Sequence, residues 1–288
     1  MTEPKTHTLA VPGALLHYDV RASDSGTEPV LLLIGSPMGA SGFTTLAGHF
    51  PDRTVVTYDP RGSDRSQRTD RASQTTPDEH ADDLRRLIGA LDAGPADIFA
   101  SSGGAVNGLV LAANHPEQVR TLVAHEPPAA QELPDRGPAL AACADVRQTY
   151  LRSGFGPGMA KFIKLVSYPG PIPADYADQP APDPASFGLP AEDDGSRGDV
   201  LMGQNIVSCT HYQHDFGALR AGPSRVVLGV GEQSGQVLAG RAAVAVAGRL
   251  GTKPVTFPGG HDGFLGGEYG STGEPDAFAA TLRAVLAG

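Results

Sequence analysis

The stretch that decides the fold of this chain is DIFASSGGA, residues 97–105, followed by VNGLVL at residues 106–111. An apolar run that breaks into two serines and two glycines and then resumes is typical of a buried strand turning sharply into a helix. A serine at such a turn takes a strained backbone conformation, which lifts its hydroxyl clear of the sheet while the next amides point beside it. The stretch therefore predicts a serine nucleophile, with a Ser/Gly-rich helix cap as the alternative.

The neighbouring residues favour one of the two serines. The residues two before and two after the nucleophile must be small, because strand and helix pass close together there. Around Ser102 these residues are Ala100 and Gly104, whereas around Ser101 the first would be Phe99, which would clash. Ser102 is the predicted nucleophile, although Ala100 stands where the G-x-S-x-G pattern has glycine.

Length, charge and cysteine content limit the class of protein. The 288 residues suffice for one large α/β domain or two small ones, and a formal net charge of −10 argues against nucleic acid and anionic membrane surfaces as partners. Cys143 and Cys209 lie too far apart in sequence for a metal-binding knuckle, and we expect two reduced thiols. No apolar stretch resembles a signal sequence or a membrane span, so a cytoplasmic protein is expected.

Strand patterns alternate with helix patterns along most of the chain. Residues 6–11 and 14–20 predict an antiparallel hairpin at the edge of a sheet. A continuous apolar run, typical of a strand covered on both faces, lies at residues 29–34, and further strands are predicted at residues 53–58, 118–125, 225–230 and 254–257. Helices are predicted after the capping box at residues 76–79 and at residues 235–250 and 275–287. Such alternation predicts βαβ units and a mostly parallel sheet.

Residues 127–221 interrupt this alternation. Helical patterns at residues 139–151 and 158–166 are separated by segments rich in proline and glycine, and the strand pattern resumes at residue 225. We interpret residues 127–221 as an inserted helical lid, which leaves residues 1–126 and 222–288 as the α/β core. Aromatic residues of this lid predict a moderately apolar pocket: Tyr150, Phe155, Phe162, Tyr168, Tyr212 and Phe216.

One histidine follows the last predicted strand, in PGGHDGF at residues 258–264. A serine nucleophile needs a base that takes its proton and returns it to the leaving group. The position of His261 after the final strand favours that role over an ordinary surface histidine. The sequence HYQHD at residues 211–215 has ligand-like spacing for a helix, but zinc sites need at least three protein ligands, so no metal and no cofactor are expected.

Four motifs in this order resemble the α/β-hydrolase superfamily: GSP at residues 35–37, DPRGSDRS at residues 59–66, the turn at Ser102 and the loop at His261. The resemblance covers nearly the whole chain outside the lid. It implies an α/β-hydrolase fold, with a mostly parallel eight-stranded sheet flanked by helices and an inserted helical cap. It also implies an oxyanion hole formed by the backbone N–H groups of Ser36 and Gly103, and a structural role for the 59–66 loop with Arg61 paired.

The same resemblance offers two carboxylates to orient His261. Glu126 follows the strand at residues 118–125, which comes after the helix that begins at Ser102; some haloalkane dehalogenases use this site. Glu232 follows the strand at residues 225–230. Ser234 stands where many relatives have aspartate. We favour Glu126, because a position between a buried strand and two prolines is an odd place for a solvated charge. Each residue also has a purely structural interpretation. Glu126 would pair with an arginine of the lid, and Glu232 would be a solvent-exposed turn residue.

These residues together predict a serine hydrolase that cleaves an ester, thioester or lactone of a small, moderately apolar molecule through an acyl-serine intermediate. Dehalogenases of the superfamily carry aspartate at the position of Ser102, so Ser102 argues against a dehalogenase or an epoxide hydrolase. The alternative is a non-hydrolytic relative that binds a small molecule or promotes a cyclisation or rearrangement. This alternative stays open because three residues depart from the family pattern. Ile34 replaces the usual histidine before the GSP motif, Ala100 replaces a glycine, and Ser234 replaces an aspartate. A homodimer also stays open, and the Ala, Gly, Pro and Arg content suggests a bacterial source.

Overall fold

The computed structural model describes residues 3–23, 26, 28–70, 72 and 74–288. These residues form a nine-stranded sheet with the strands β1 (Lys5–Val11), β2 (Ala14–Arg21), β3 (Leu31–Ile34), β4 (Val55–Tyr58), β5 (Gln67–Arg68), β6 (Ala96–Ser101), β7 (Val119–His125), β8 (Arg225–Gly231) and β9 (Val255–Phe257). The order is β1-β2-β4-β3-β6-β7-β8-β9, and the short β5 pairs with β2. β2 pairs antiparallel with β1, β4 and β5, whereas the neighbours from β4 to β9 are parallel. The predicted α/β class with a mostly parallel sheet is confirmed, and the two-residue β5 is an addition to the eight strands expected.

Helices cover both faces of the sheet. Their bounds are α1 (Thr44–Gly48), α2 (Pro77–Leu91), α3 (Gly103–Asn114), α4 (Arg136–Ser153), α5 (Phe155–Val166), α6 (Ile206–Ser208), α7 (Phe216–Ala221), α8 (Leu238–Leu250) and α9 (Pro275–Ala287). The predicted capping box starts α2: Thr76 Oγ1 accepts from Glu79 N at 3.2 Å, and Glu79 Oε2 accepts from Thr76 N at 2.9 Å. None of the helices in the described ranges is long and apolar enough to cross a membrane.

The continuous apolar run at residues 29–34 is explained by two apolar layers, one on each face of the sheet. Successive side chains of a strand point to opposite faces. Leu32 and Ile34 of β3 pack towards α2 and α3, whereas Leu31 and Leu33 pack towards α1 and α9. All four side chains are fully buried, and each contributes about 1.5–3 kcal/mol of hydrophobic stabilisation. A strand buried on both faces therefore shows no alternation of apolar and polar residues in its sequence.

The segment between β7 and β8 carries α4 to α7 and a π-helical turn, Leu201–Asn205, that leads into α6. Side chains of α4, α5 and this turn form a third apolar cluster together with Leu238 and Ala242 of α8. An ion pair between Asp135 and Arg241 ties the segment to α8, and Arg241 Nη1 also donates to Gly170 O at 2.8 Å. α7 differs, because its Phe216 and Leu219 pack with the layer against α3. The lid boundary at residue 221 stays a prediction.

Buried charged side chains fix the loop at residues 59–66 through an ion pair and hydrogen bonds. Arg61 donates from Nε to Asp83 Oδ2 at 2.7 Å and from Nη2 to Asp83 Oδ1 at 2.6 Å. Asp59 accepts from Ala40 N at 2.9 Å. The expected pairing of Arg61 is confirmed, and the contacts join α2 to the loop that follows β4.

Candidate active site

Ser102 lies between β6 and α3 at a sharp turn. Its backbone angles are φ 55° and ψ −126°, a conformation that costs a non-glycine residue about 1–3 kcal/mol. The turn is held because Ser102 N donates to His125 O at 3.0 Å. Ser101, by contrast, is buried in β6 in register with His125. Of the two serines, Ser102 lines the cavity described below.

Close approach of α3 to β3 explains the small residues around Ser102. A Cβ at Gly104 would lie 2.6 Å from Ile34 O and 2.8 Å from Gly35 Cα, so a side chain has no room there. Ala100 is fully buried under the helix, and its Cβ would lie 3.3 Å from a Cβ placed on Gly108. Alanine therefore fits the position at which the pattern has glycine.

Two free backbone donors lie beside the serine. Ser36 follows β3, and Gly103 is the first residue of α3, where an N–H has no acceptor within the helix. A Cβ at Gly103 would lie 2.5 Å from Ser36 O, so the two residues are in close contact. Within the described ranges, neither the Ser36 N–H nor the Gly103 N–H donates to another protein group. Buried N–H groups without a partner are rare, so these two donors stay the candidates for the predicted oxyanion hole.

His261 and Glu126 form a hydrogen-bonded pair. His261 Nδ1 lies 2.7 Å from Glu126 Oε2, and Glu126 Oε1 accepts from Gly231 N at 2.8 Å. The Glu126 side chain is 0% exposed, whereas that of His261 is 45% exposed. Burial raises the pKa of the Glu126 carboxyl, but the hydrogen bond from His261, the charges of His125 and His261 and the Gly231 amide together lower it below its ordinary value. Glu126 is therefore held as a carboxylate behind the ring.

The other carboxylate candidate lies apart from this pair. Glu232 is exposed, and its backbone N donates to Phe257 O at 2.9 Å. Its side chain makes no hydrogen bond or ion pair with the part of the chain that is described. Thus Glu126 reaches His261 and Glu232 does not. The lid arginine considered for Glu126 is not its partner among the described residues, since His261 and Gly231 take its two oxygens.

Ser102 and His261 open onto one cavity of about 230 Å³ between the sheet and the β7–β8 segment. No hydrogen bond joins the Ser102 hydroxyl to the His261 ring in the described ranges, and such pairs are often loose until a substrate binds. The wall is mostly apolar, with a few polar groups. It consists of Ser36, Ser102, Gly103, Pro128, Cys143, Phe162, Leu165, Val166, Leu201, Asn205, Ile206, Cys209, Thr210, Val237, Leu238, Ala239 and His261.

The sequence did not indicate several of these wall residues. Of the six aromatic residues expected near the pocket, Phe162 lines this cavity, whereas Tyr150 packs in the core of the β7–β8 segment. Cys143 and Cys209 are free thiols, as expected, but both line the cavity. Burial raises the pKa of Cys143 to about 11 and that of Cys209 to about 12, so both stay protonated. Asn205 lies in a stretch, LMGQN, that carries no signal for a site.

The histidines of HYQHD do not lie on a helix, so that expectation was wrong. Residues 211–215 form the connection between α6 and α7. His214 packs between the rings of Tyr212 and Phe216, at 5.1 and 6.1 Å between centroids, and burial lowers its pKa to about 4. Among the described residues, no group of three or more His, Cys, Asp or Glu side chains is placed to hold a metal.

Comparison with known proteins places this geometry in a family. Residues 28–176 match a family model described as the alpha/beta hydrolase fold. The chain is 32% identical over 263 residues to an uncharacterized hydrolase, YraK, of Bacillus subtilis, and the match covers 89% of each chain.

Solved structures show the same fold. An enol-lactonase from Burkholderia xenovorans superposes with a TM-score of 0.65 at 18% identity, over 98% of this chain and 100% of its own. A thermophilic esterase from Thermogutta terrifontis gives 0.66 at 19% identity, over 99% and 98%. Because the family model and a nearly full-length relative both match, the chain belongs to the α/β hydrolase family.

Proposed function

We propose that this protein is a serine hydrolase that cleaves an ester, thioester or lactone bond of a small, moderately apolar molecule. The observation that carries the proposal is the contact between the buried Glu126 carboxylate and His261, 2.7 Å apart, with His261 on the same cavity as Ser102 at its strained turn. A carboxylate, an imidazole and a serine in this arrangement can run acyl transfer without a cofactor.

The acylation step follows from the positions of these groups. Ser102 Oγ attacks the substrate carbonyl carbon and its proton passes to His261 Nε2, while Glu126 holds the proton on Nδ1. The N–H groups of Ser36 and Gly103 donate to the oxygen that becomes negative, an interaction worth about 2.7–4 kcal/mol per donor in the transition state. When the tetrahedral intermediate collapses, the leaving group departs with the proton from His261.

Water completes the cycle. The water oxygen attacks the acyl carbon while His261 takes a proton from that water. His261 then gives the proton to Ser102 Oγ as the carboxylic acid product leaves. Glu126 keeps its charge throughout, since its role is to orient and stabilise the imidazole.

The shape of the cavity supports a small apolar substrate. Its walls come partly from the core and partly from α4, α5 and the turn before α6. We propose that residues 127–221 act as a cap that selects the substrate, with Phe162, Leu165 and Ile206 facing its apolar part. The enol-lactonase and the esterase named above act on the bond classes proposed here, which is consistent with the proposal.

Hydrolysis of short p-nitrophenyl esters tests the nucleophile. Ser102→Ala should reduce kcat by about 10³- to 10⁶-fold, because the variant lacks the hydroxyl that forms the acyl intermediate. Ser101→Ala is the matched control, since Ser101 is buried in β6, and it should keep activity. Equal rates for wild type and Ser102→Ala would refute the nucleophile.

A fluorophosphonate probe separates the proposal from its alternative. Covalent labelling at Ser102 requires an activated serine. Labelling together with turnover of esters or lactones supports hydrolysis, whereas labelling without turnover of any of them favours the non-hydrolytic alternative.

A further inference from the structure

Asn205 connects the β7–β8 segment to the loop that follows β3. It ends the π-helical turn Leu201–Asn205 and is only 4% exposed. Its Nδ2 donates to Ser36 Oγ at 2.9 Å, in a buried hydrogen bond between residues 169 positions apart. A serine hydroxyl both accepts and donates, so either orientation of the amide keeps this bond.

The helical turn that follows Asn205 lies against Gly103, which carries the second free N–H. Cys209 N donates to Asn205 O at 3.0 Å, which places the two residues one helical turn apart on one face. A Cβ at Gly103 would lie 3.2 Å from Cys209 Sγ. One face of this short segment thus contacts both residues that carry the free N–H groups.

The hydrogen bond from Asn205 holds the Ser36 side chain within the loop that follows β3. The side chain of Ile34, two residues before Ser36, is fully buried and apolar and cannot form a hydrogen bond, and Pro37, directly after Ser36, has no N–H. The Ser36 N–H has no protein acceptor within the described ranges. A donor that must be ready for the developing charge needs support from a neighbouring group, because an unsupported donor has to reorganise during the reaction.

We propose that Asn205 is a positioning residue: through Ser36 Oγ it holds the Ser36 N–H towards the oxyanion, so that the oxyanion hole is complete only when the turn before α6 is packed over it. The inference rests on the proposed hydrolase function. It makes the β7–β8 segment part of the catalytic assembly as well as a wall of the substrate cavity.

A double-mutant cycle on kcat tests this role. The variants are Asn205→Leu, Ser36→Ala and the double variant, assayed on a short p-nitrophenyl ester together with thermal unfolding. Asn205→Leu should lower kcat by about 10- to 100-fold with little change in KM, which is less than the loss expected for removing the donor itself. Because both changes break one bond, the double variant should lose no more than the larger single loss.

Gln204→Leu is the matched control. It removes an amide from the neighbouring position of the same π-helical turn, and Gln204 makes no hydrogen bond to Ser36 and does not line the cavity. This variant should keep the wild-type kcat. Binding of a boronic acid, which forms a tetrahedral adduct with an active serine, should weaken in Asn205→Leu by the same factor as kcat, whereas a purely structural role would leave it unchanged in the folded variant.

The outcomes separate the two proposals. Losses that multiply in the double variant, or a Ser36→Ala variant with unchanged kcat, would overturn the role of Asn205 while leaving the hydrolase function in place. Ser36→Ala leaves the β7–β8 segment intact, so it tests the bond even if Asn205→Leu does not fold. A wild-type protein that turns over no ester and reacts with no fluorophosphonate would overturn the hydrolase function, and this inference with it.

Discussion

Glu126 differs from a surface glutamate in three ways. It is fully buried, its backbone has φ 49°, and both of its oxygens accept hydrogen bonds. A buried carboxylate without such partners would take up a proton, because burial disfavours the charged form. The bonds from His261 and the Gly231 amide keep the pKa of Glu126 lowered in spite of burial. Glu126 therefore keeps its negative charge because two hydrogen bonds compensate for its burial.

Replacing the carboxylate by an amide tests its role. Glu126→Gln should lower kcat for ester hydrolysis by about 10²- to 10⁴-fold, since a neutral amide neither stabilises the imidazolium nor selects its tautomer. Glu232→Gln is the matched control and should stay close to wild type, because that side chain is exposed. Steady-state kinetics on one ester substrate compare the two, and the opposite order would transfer the role to Glu232.

At the level of elements, the turn at Ser102 depends on how closely α3 passes β3. α3 is buried along most of its length, from Gly103 to Ala112, so it has no polar face. The contact of Gly104 with the backbone at Ile34 sets the distance between α3 and the sheet. The strained serine is therefore supported by tertiary packing on both sides.

Adding one methyl group to this contact should be costly. Gly104→Ala should destabilise the protein by about 1–3 kcal/mol through overpacking, because its Cβ would lie 2.6 Å from Ile34 O. Gly248→Ala is the control, since a Cβ there meets nothing within 4 Å inside α8, and it should stabilise by about 0.5–1 kcal/mol. Urea unfolding measures both, and equal effects would contradict the proposed close contact.

At the level of the whole molecule, three histidines are buried in the core or near it. Burial lowers the pKa of His80 to about 3 and that of His125 and His214 to about 4. No ring nitrogen of the three has a hydrogen-bond partner among the described residues. In the unfolded chain a histidine titrates near pH 6.5, so the unfolded state binds more protons than the folded state between about pH 6.5 and 4.

The free energy of unfolding should therefore fall as the pH drops through this window and be fully retained above it. Each buried histidine contributes a slope of about 1.4 kcal/mol per pH unit. His214→Phe, which keeps a ring between Tyr212 and Phe216, should reduce the slope by that amount. Urea unfolding at several pH values measures it, and an unchanged slope in the variant would show that His214 is not neutral in the folded state.

Local patterns were enough to predict the fold class and most of the elements. The strand β3, buried on both faces, appears as a continuous apolar run, the capping box at Thr76 marks the start of α2, and the predicted range 275–287 matches α9 residue for residue. These features depend on neighbours within a few positions. Residues 211–215 show the limit, because their helical spacing predicts a helix, whereas the structure has a connection between α6 and α7 in which His214 packs between two rings.

The sequence by itself determined the sheet, the turn at Ser102 and the set of polar residues at the strand ends, because strand burial and close packing leave local marks. Only the tertiary structure decided which carboxylate reaches His261, since Glu126 and Glu232 follow adjacent parallel strands and differ in burial and direction. It also decided that Asn205 contacts Ser36. A contact between residues 169 positions apart depends on how the β7–β8 segment packs over the sheet, and no local pattern of residues records that packing.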